Sequence, residues 1–153
     1  MKKLTNLILL FSLFIVTNCG YTPLFETKNL KYKLEEINLS GERSVNVHIL
    51  NNLKKFQINE DVEISYNING VSSFKKEVTN KDRNGNPKDY RIEVRTNIEI
   101  VSKDGERLIK EFIKTISYSA ENKKIKEKEI EDKNIKDLSN EIAKDIIFFL
   151  KQL

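Results

Sequence analysis

The most regular pattern in the chain is the alternation of apolar and polar residues from 90 to 101. A period of two is typical of a strand with one buried face. A second apolar-rich segment covers residues 107–118, and Asp104-Gly105 between the two favours a two-residue type I′ hairpin turn. We therefore predict two long antiparallel strands joined by a tight turn.

The predicted turn also determines which residues of this hairpin face each other. It places Val101 opposite Leu108 and Asn97 opposite Phe112. One face is then the more uniformly apolar and suits a cover of helices, whereas the other mixes charges with apolar residues, which is typical of a contact surface. A slip of one residue would turn those apolar side chains inward, and the sequence leaves both arrangements open. The side chains concerned are Leu108, Phe112, Ile116 and Tyr118.

Two shorter regions predict further strands. Residues 32–39 form the first strand. Residues 62–69 alternate in the same way until Gly70 interrupts them, and residues 74–79 either continue that strand after a bulge or form another. Turn-forming residues between 80 and 89 predict a loop before the long hairpin.

Apolar residues at three- and four-residue spacing predict two helices. The first covers residues 44–56, with Ser44 as its N-cap and His48 on its surface. Residues 121–131 form a mixed-charge segment whose opposite charges support a solvated helix. A long amphipathic helix follows from residue 134. Its apolar stripe consists of Ile135, Leu138, Ile142, Ile146 and Phe149.

The order of these elements predicts an α+β fold. We expect an antiparallel sheet of three to four strands, covered on one face by two helices. A chain of 153 residues fits one domain, which we place at residues 32–153.

The first 18 residues have the pattern of a secretory signal peptide. Lys2 and Lys3 precede an apolar run that extends from Leu4 to Val16 and stops at residues 17–20. This run is shorter than the about 20 apolar residues that a membrane-spanning helix needs. We predict that the signal is cleaved after residue 18.

Cys19, the only cysteine in the chain, stands where the apolar run ends. The stretch resembles a bacterial lipobox, with Val16 at its apolar position and Cys19 as the acceptor of a diacylglycerol. Two or more acyl chains anchor a protein stably to a bilayer. Gly20 follows Cys19 where an Asp would retain an enteric lipoprotein in the inner membrane, so we expect a periplasm-facing protein of the outer membrane. Residues 19–31 are then its tether.

The composition argues against a nucleic-acid partner. Lys and Arg number 27 and Asp and Glu number 23, which gives a net charge of +4. Lys2 and Lys3 leave with the signal peptide, and the remaining charges of both signs are interspersed. A nucleic-acid-binding protein would need a one-sided basic patch.

Catalytic patterns are missing as well. A Ser-His-acid or Cys-His site needs a nucleophile, a base and an orienting group, and the chain has one histidine, His48. Clustered His or Cys ligands and Gly-rich phosphate loops are absent from the sequence. We therefore expect no enzyme, no metal, and no cofactor apart from the covalent lipid on Cys19.

The segment from Cys19 to Phe25, Cys-Gly-Tyr-Thr-Pro-Leu-Phe, resembles the start of mature LptE, the lipopolysaccharide-assembly lipoprotein family, in its alphaproteobacterial form. There the acylated cysteine is followed by Gly, an aromatic residue, a variable residue, Pro, Leu and another aromatic residue. The rest of the chain is similar in the order of its elements. The resemblance implies a protein that plugs the LptD β-barrel of the outer membrane, assists its assembly and helps lipopolysaccharide reach the outer leaflet.

This resemblance implies three partners, which are an LptD-type barrel, lipopolysaccharide and the membrane that holds the lipid anchor. Exposed basic residues suit the phosphates of lipopolysaccharide, and the mixed face of the hairpin suits a barrel. The candidate contact residues are Arg83, Lys88, Arg91, Arg95, Phe112 and Tyr118. The alternatives are another outer-membrane accessory lipoprotein, of the pilotin or barrel-assembly type, and a lipid-tethered periplasmic enzyme.

Overall fold

The alternating segments form the strands of one sheet, and the two apolar stripes form two helices. The computed structural model describes residues 32–57, 62 and 64–153. The predicted fold class is confirmed. The signal peptide, Cys19 and the tether lie outside the described residues. The elements are β1 (Tyr32–Gly41), α1 (Arg43–Leu53) with a 3₁₀ turn (Lys54–Phe56), β2 (Ile64–Lys81), β3 (Pro87–Ser102), β4 (Arg107–Ser119) and α2 (Lys124–Leu150).

The sheet has the order β1-β2-β3-β4 and is mixed. β2, β3 and β4 are antiparallel neighbours, as predicted, whereas β1 lies parallel to β2. The reason is the helix between β1 and β2, because a helical crossover returns the chain in its original direction. β1 stops at Gly41, opposite Ser72, so the β2–β3 hairpin continues beyond it to Lys81.

Gly70 lies inside β2 and does not interrupt it. The strand continues through residues 74–79, and its register with β3 is unbroken until Val78. A Cβ atom at Gly70 would come within 2.7 Å of the side chains of Leu39 and Ile98. The glycine is therefore a space-saving residue between packed side chains, and the prediction of a strand break at this position is wrong. The predicted loop at 80–89 is also shorter, since only residues 82–86 lie between the strands.

The turn between β3 and β4 differs from the prediction by one residue. Gly105 N donates to the carbonyl oxygen of Ser102 at 3.0 Å, and Ser102 N donates to the carbonyl oxygen of Glu106 at 2.9 Å. Gly105 has a φ of +86°. This geometry is a type I turn followed by a glycine bulge, which is the three-residue hairpin loop. Phe112 consequently pairs with Thr96 and faces the helices. The register predicted from a two-residue turn is therefore wrong, and the alternative of a one-residue slip that turns Phe112 inward is confirmed.

Helix α1 packs Val45, Ile49 and Leu53 into the core, and Phe56 follows in the 3₁₀ turn. Its N-cap is Glu42 rather than the predicted Ser44, because the Glu42 carboxylate accepts from Ser44 N at 3.4 Å. The core thus contains the apolar stripe that the spacing predicts.

Helix α2 joins the two predicted helical segments into one helix of 27 residues. No glycine or proline lies between them to end the first segment. Asn52 Nδ2 of α1 donates to Asn140 Oδ1 of α2 at 2.9 Å, which ties the two helices together on one face of the sheet. The buried residues of the apolar stripe of α2 are Ile135, Leu138, Ile142 and Ile146.

Candidate functional site

The face of the sheet that points away from α1 and α2 is the candidate functional site, and no described element covers it. We call it the open face. The side chains of alternate strand residues form it, because neighbouring residues of a strand point to opposite sides. Its main members are Asn38, Asn69, Val71, Lys75, Glu77, Arg91, Glu93, Arg95, Glu99, Arg107, Ile109, Glu111 and Ile113.

A row of polar side chains crosses all four strands of the open face. Asn38 Nδ2 donates to Asn69 Oδ1 at 3.4 Å, and Asn69 Nδ2 donates to Glu99 Oε2 at 3.4 Å. The other oxygen of Glu99 accepts from Arg107 Nη1 at 3.2 Å. Each strand contributes one member, so the row holds these polar groups in fixed positions across the sheet.

Arg95 forms a second polar group nearer the middle of β3. Its guanidinium donates to Glu93 at 3.0 Å and to Glu111 at 2.9 Å. The hydrogen bond to Glu93, followed by that to Glu111, raises the pKa of Arg95 above its usual value. Exposed pairs of this kind add little stability. Their effect is to fix the positions of the charges that a partner would meet.

Apolar side chains stand between these charges. Val71 of β2 and Ile109 and Ile113 of β4 are exposed, and Ile109 retains 75% of its accessible area. The open face is thus mainly polar with separate aliphatic positions, and most of its charges, including those of Glu93, Arg95, Glu99, Arg107 and Glu111, are paired within the chain.

The turn at the end of the β2–β3 hairpin is built around Asp82. Its carboxylate accepts from Asn84 N at 2.8 Å, Asn86 N at 2.9 Å and Asn86 Nδ2 at 3.1 Å. The Asn86 side chain, followed by its backbone N–H, lowers the pKa of Asp82. The turn is therefore held by local hydrogen bonds, and it presents Arg83 to solvent.

Lys76 anchors the other side of the same hairpin to α2. Its Nζ lies 2.9 Å from both Glu127 Oε1 and Glu131 Oε2, and 4.0 Å from the centre of the Tyr90 ring. Burial acts to lower the pKa of Lys76, but the hydrogen bonds to Glu131 and Glu127 outweigh it and raise the pKa above the usual value. This cation therefore connects the projecting strands to the first turns of the helix.

The predicted basic contact residues lie in three places. Arg91 and Arg95 are on the open face, four residues apart on β3. Arg83 is in the turn. Lys88 is exposed at the start of β3 and lines a groove between the turn and the start of α2. The structure therefore brings Arg91 and Arg95 to one surface and leaves Arg83 and Lys88 at its end.

The two predicted aromatic contact residues lie on the helix side of the sheet. Phe112 is 8% exposed and packs edge-on against Phe149, with 6.2 Å between the ring centres. Tyr118 is half-buried beside Tyr90, and burial raises the pKa of its hydroxyl. The one-residue difference in register explains both positions. Phe112 is not available to a partner while α2 is in place, so its assignment as a surface contact is corrected.

Lys76 was not among the residues predicted from the sequence, although the alternation of β2 contains a signal for it. Even-numbered residues of β2 such as Ile68 face the helices, so Lys76 lies on the same side. Glu127 and Glu131 are four residues apart on α2, which places both carboxylates on one helix face. A lysine on the covered side of a strand and this carboxylate pair are complementary.

The part of the chain that the structure describes contains neither a membrane-spanning helix nor a cluster of metal ligands. Neither α1 nor α2 is long and apolar enough to cross a bilayer. No group of three or more His, Cys, Asp or Glu side chains is arranged to hold a metal ion among these residues.

Solved structures of bacterial lipoproteins share this architecture. Rare lipoprotein B of Shewanella oneidensis is 12% identical with a TM-score of 0.55, covering 74% of this chain and 90% of its own. A minor lipoprotein of Acinetobacter baumannii is 9% identical with a TM-score of 0.53, covering 77% and 91%. Lipoprotein B of Nitrosomonas europaea is 12% identical with a TM-score of 0.54, covering 78% and 84%.

The chain has the fold of these lipoproteins. At 9 to 12% identity the likeness is one of fold. No protein-family model matches the chain, and no curated protein matches it significantly.

Proposed function

We propose that this protein is a lipid-anchored accessory protein of the outer membrane that fits inside a β-barrel partner and assists lipopolysaccharide transport, as LptE does. Three observations support the proposal. The sequence around Cys19 resembles a lipobox and the start of mature LptE. The described body has a fold that solved lipoproteins share. Its sheet has an open face that suits contact with another protein.

The proposal of a barrel partner rests on the open face of the sheet. A barrel lumen is mostly polar, so a body that fits inside one needs a polar surface with few apolar positions. The row from Asn38 to Arg107 and the Arg95 group provide such a surface, with Val71 and Ile113 as apolar positions. Paired charges also avoid the cost of burying an unpaired charge on contact.

Lipopolysaccharide contact is assigned in this proposal to the end of the β2–β3 hairpin. Arg83, Lys88 and Arg91 are exposed there, and arginine binds phosphate oxygens through paired N–H groups. The proposed role is one of binding and positioning, and it requires no catalytic residue.

The test is a pull-down of the mature lipoprotein from outer membranes, with mass spectrometry of what co-purifies. We expect a large outer-membrane barrel of the LptD type. The variant Arg91→Glu should recover less of it, because the substitution reverses a charge on the open face. Arg43→Glu is the matched control, since Arg43 is exposed at the start of α1 on the opposite side of the sheet.

Recovery of a secretin or of another assembly factor in place of this barrel would assign the protein to the other accessory lipoproteins. Recovery of no partner at all, or equal losses in Arg91→Glu and Arg43→Glu, would contradict the open face as the contact surface.

A further inference from the structure

We propose that the last turns of α1 and α2 form a membrane-contact surface, which rests on the anionic lipid headgroups of the bilayer that holds the anchor. The inference depends on the lipid anchor of the proposed function. The surface consists of exposed lysines with exposed apolar side chains among them, and we call it the basic end. Its members are Lys54, Lys55, Lys144, Phe148, Lys151 and Leu153.

The basic end lies beside the start of β1. The Tyr32 hydroxyl donates to the carbonyl oxygen of Ile147 in α2 at 3.5 Å. Gln57 Nε2, just after the 3₁₀ turn, donates to the carbonyl oxygen of Glu35 in β1 at 3.2 Å. The ends of both helices therefore meet at the point where the chain enters the sheet.

This position fits an anchor at Cys19. Residues 20–31 lead from Cys19 to Tyr32, and a stretch of this length spans at most about 45 Å at full extension. The 18 residues of β2 extend about 60 Å from the same end of the sheet to the turn at Asp82. The basic end is therefore the part of the domain that the anchor brings nearest to the bilayer.

The charge of the basic end is complementary to anionic headgroups. Neither residues 43–57 nor residues 146–153 contain Asp or Glu. Asp145 Oδ2 lies 2.7 Å from Lys114 Nζ, so this carboxylate is engaged by β4. Glu141 is the nearest exposed acid along α2. Because a negatively charged bilayer attracts each lysine close to its surface, an excess of lysine favours contact at this end.

The apolar members of the basic end suit the boundary between headgroups and acyl chains. Phe148 retains 54% of its accessible area, and it is the one exposed phenylalanine among the described residues. Lys144 and Lys151 lie four residues before it and three after it, which places all three on one helix face. An aromatic ring flanked by lysines is typical of a helix that lies on a bilayer, since long lysine stems keep their charges in the headgroup layer.

The sheet side of the same end is less suited to an anionic surface. Residues 32–36 and 103–107, which belong to β1 and to the β3–β4 turn, carry four acidic residues against three basic ones. The acidic residues are Glu35, Glu36, Asp104 and Glu106. The domain therefore meets the bilayer with its helices. This contact leaves the open face uncovered, so a barrel can bind that face while the basic end stays at the level of the headgroups.

Tryptophan fluorescence tests the contact, because the chain contains no tryptophan. The mature lipoprotein carrying Phe148→Trp is reconstituted in vesicles of phosphatidylglycerol and of phosphatidylcholine with brominated acyl chains. We expect its emission to shift to shorter wavelength and to be quenched by bromine, because the ring enters the acyl boundary. Ile125→Trp is the matched control and should show neither change, since residue 125 is also exposed on α2 but lies about 35 Å away along the helix.

The dependence on charge distinguishes a lipid contact from mere confinement by the anchor. Vesicles of brominated phosphatidylcholine alone should quench Phe148→Trp less. Adding Lys54→Glu to that variant should lower the ratio of bound to unbound domains by about fivefold or more, which is the effect of losing one lysine near an anionic surface. Lys124→Glu, the same reversal at an exposed position at the start of α2, should leave the ratio unchanged.

Flotation with the vesicles shows first whether the anchor is in place. A lipoprotein that floats, but in which Phe148→Trp and Ile125→Trp are quenched equally, would overturn the contact and leave the anchor standing. Equal quenching of Phe148→Trp with and without phosphatidylglycerol would overturn it as well. A protein that does not float would refute the anchor and the contact together. The barrel pull-down through the open face depends on none of these results.

Discussion

Ser72 Oγ lies 2.7 Å from Oδ1 of Asn46, and both side chains are buried between α1 and β2. Asn46 Nδ2 also donates to the carbonyl oxygen of Ser40 at 3.0 Å. One amide therefore joins the end of β1, the first turn of α1 and the middle of β2. It fixes the crossover that makes β1 parallel to β2.

Replacing this amide should destabilise the fold. Asn46→Ala leaves Ser72 Oγ and the Ser40 oxygen without this partner, and a buried polar group that loses its partner costs about 1–3 kcal/mol. Denaturant unfolding measures the loss. Asn51→Ala, on the exposed side of the same helix, should change the free energy of unfolding by less than about 0.5 kcal/mol. Equal changes in the two variants would show that the buried hydrogen bonds of Asn46 contribute no stability of their own.

Gly41 and Gly85 both have left-handed backbones, with φ of +90° and +84°, yet alanine should affect them differently. A Cβ atom at Gly41 would lie 2.1 Å from the Ser72 oxygen, which also accepts from Glu42 N. A Cβ atom at Gly85 meets nothing within 4 Å. Gly85→Ala should cost about 1–2 kcal/mol from backbone strain, and Gly41→Ala about 3 kcal/mol or more. Thermal unfolding of both variants checks the order, and a reversed order would contradict the contact at Ser72.

Phe112→Ala tests the register of the β3–β4 hairpin. Because Phe112 is buried against Phe149, its truncation should lower the free energy of unfolding by about 3–5 kcal/mol. Ile109→Ala, on the exposed side of the same strand, should cost less than about 1 kcal/mol. In the register of a two-residue turn the side chain of Phe112 would lie on the open face, and its truncation would then be nearly harmless.

Lys76→Met should lower the free energy of unfolding by removing the contact between β2 and the start of α2, and the size of the loss should depend on pH. Burial acts to raise the pKa of Glu131, but hydrogen bonds from Lys76 and Lys128 outweigh it and hold the pKa below its usual value. The contribution of Glu131 to the free energy of unfolding is therefore present above the ordinary glutamate pKa, and it is lost as the pH falls through the lower pKa of the folded state. The contribution of Lys76, whose folded pKa is raised, is present below the ordinary lysine pKa and is lost as the pH rises through the folded value.

The destabilisation caused by Lys76→Met should thus be greatest between about pH 5 and 10 and should shrink in acid. We expect about 2 kcal/mol at neutral pH, between the values for exposed and buried ion pairs. Lys128→Met, which removes a more exposed partner of Glu131, should cost less than about 1 kcal/mol. Urea unfolding at several pH values provides the measurement, and a loss that does not vary with pH would mean that packing alone is affected.

Cys19→Ser should leave the signal peptide uncleaved by the lipoprotein peptidase and the domain misplaced, because serine lacks the thiol that accepts the diacylglycerol. Intact-mass measurement and membrane fractionation test both effects. Thr22→Ser, a conservative change in the predicted tether, should mature normally. Normal processing and unchanged membrane retention of Cys19→Ser would refute the lipobox prediction.

The strands could be predicted because their alternation is set by burial of one face. Ile92, Val94, Ile98 and Ile100 are all buried, as the period of two in β3 predicts. The register could not be predicted in the same way. Gly105 needs a positive φ in a two-residue turn and in a three-residue loop alike, so local sequence does not separate them. Burial of Phe112 under α2, a contact between distant residues, decides the outcome.

The candidate site was predictable to a similar extent. Alternation along β3 places Arg91 and Arg95 on one face, and the structure has them there. Their environment depends on Glu111, which reaches Arg95 from the neighbouring strand, and such pairing requires the correct register. The parallel direction of β1 could have been inferred from the helix that follows it, because a strand, a helix and a strand in succession form a crossover.

The parallel pairing of β1 with β2 has a mechanical consequence. The chain enters β1 at Tyr32, and β2 continues past the end of β1 to the turn at Asp82. A tensile force between a lipid at residue 19, as proposed, and a partner bound to this turn would act along the strand axes. It loads the backbone hydrogen bonds between β1 and β2 in shear, all at once, instead of opening them one by one. If Cys19 carries the proposed lipid, this geometry resists tension between that anchor and the far end of the hairpin.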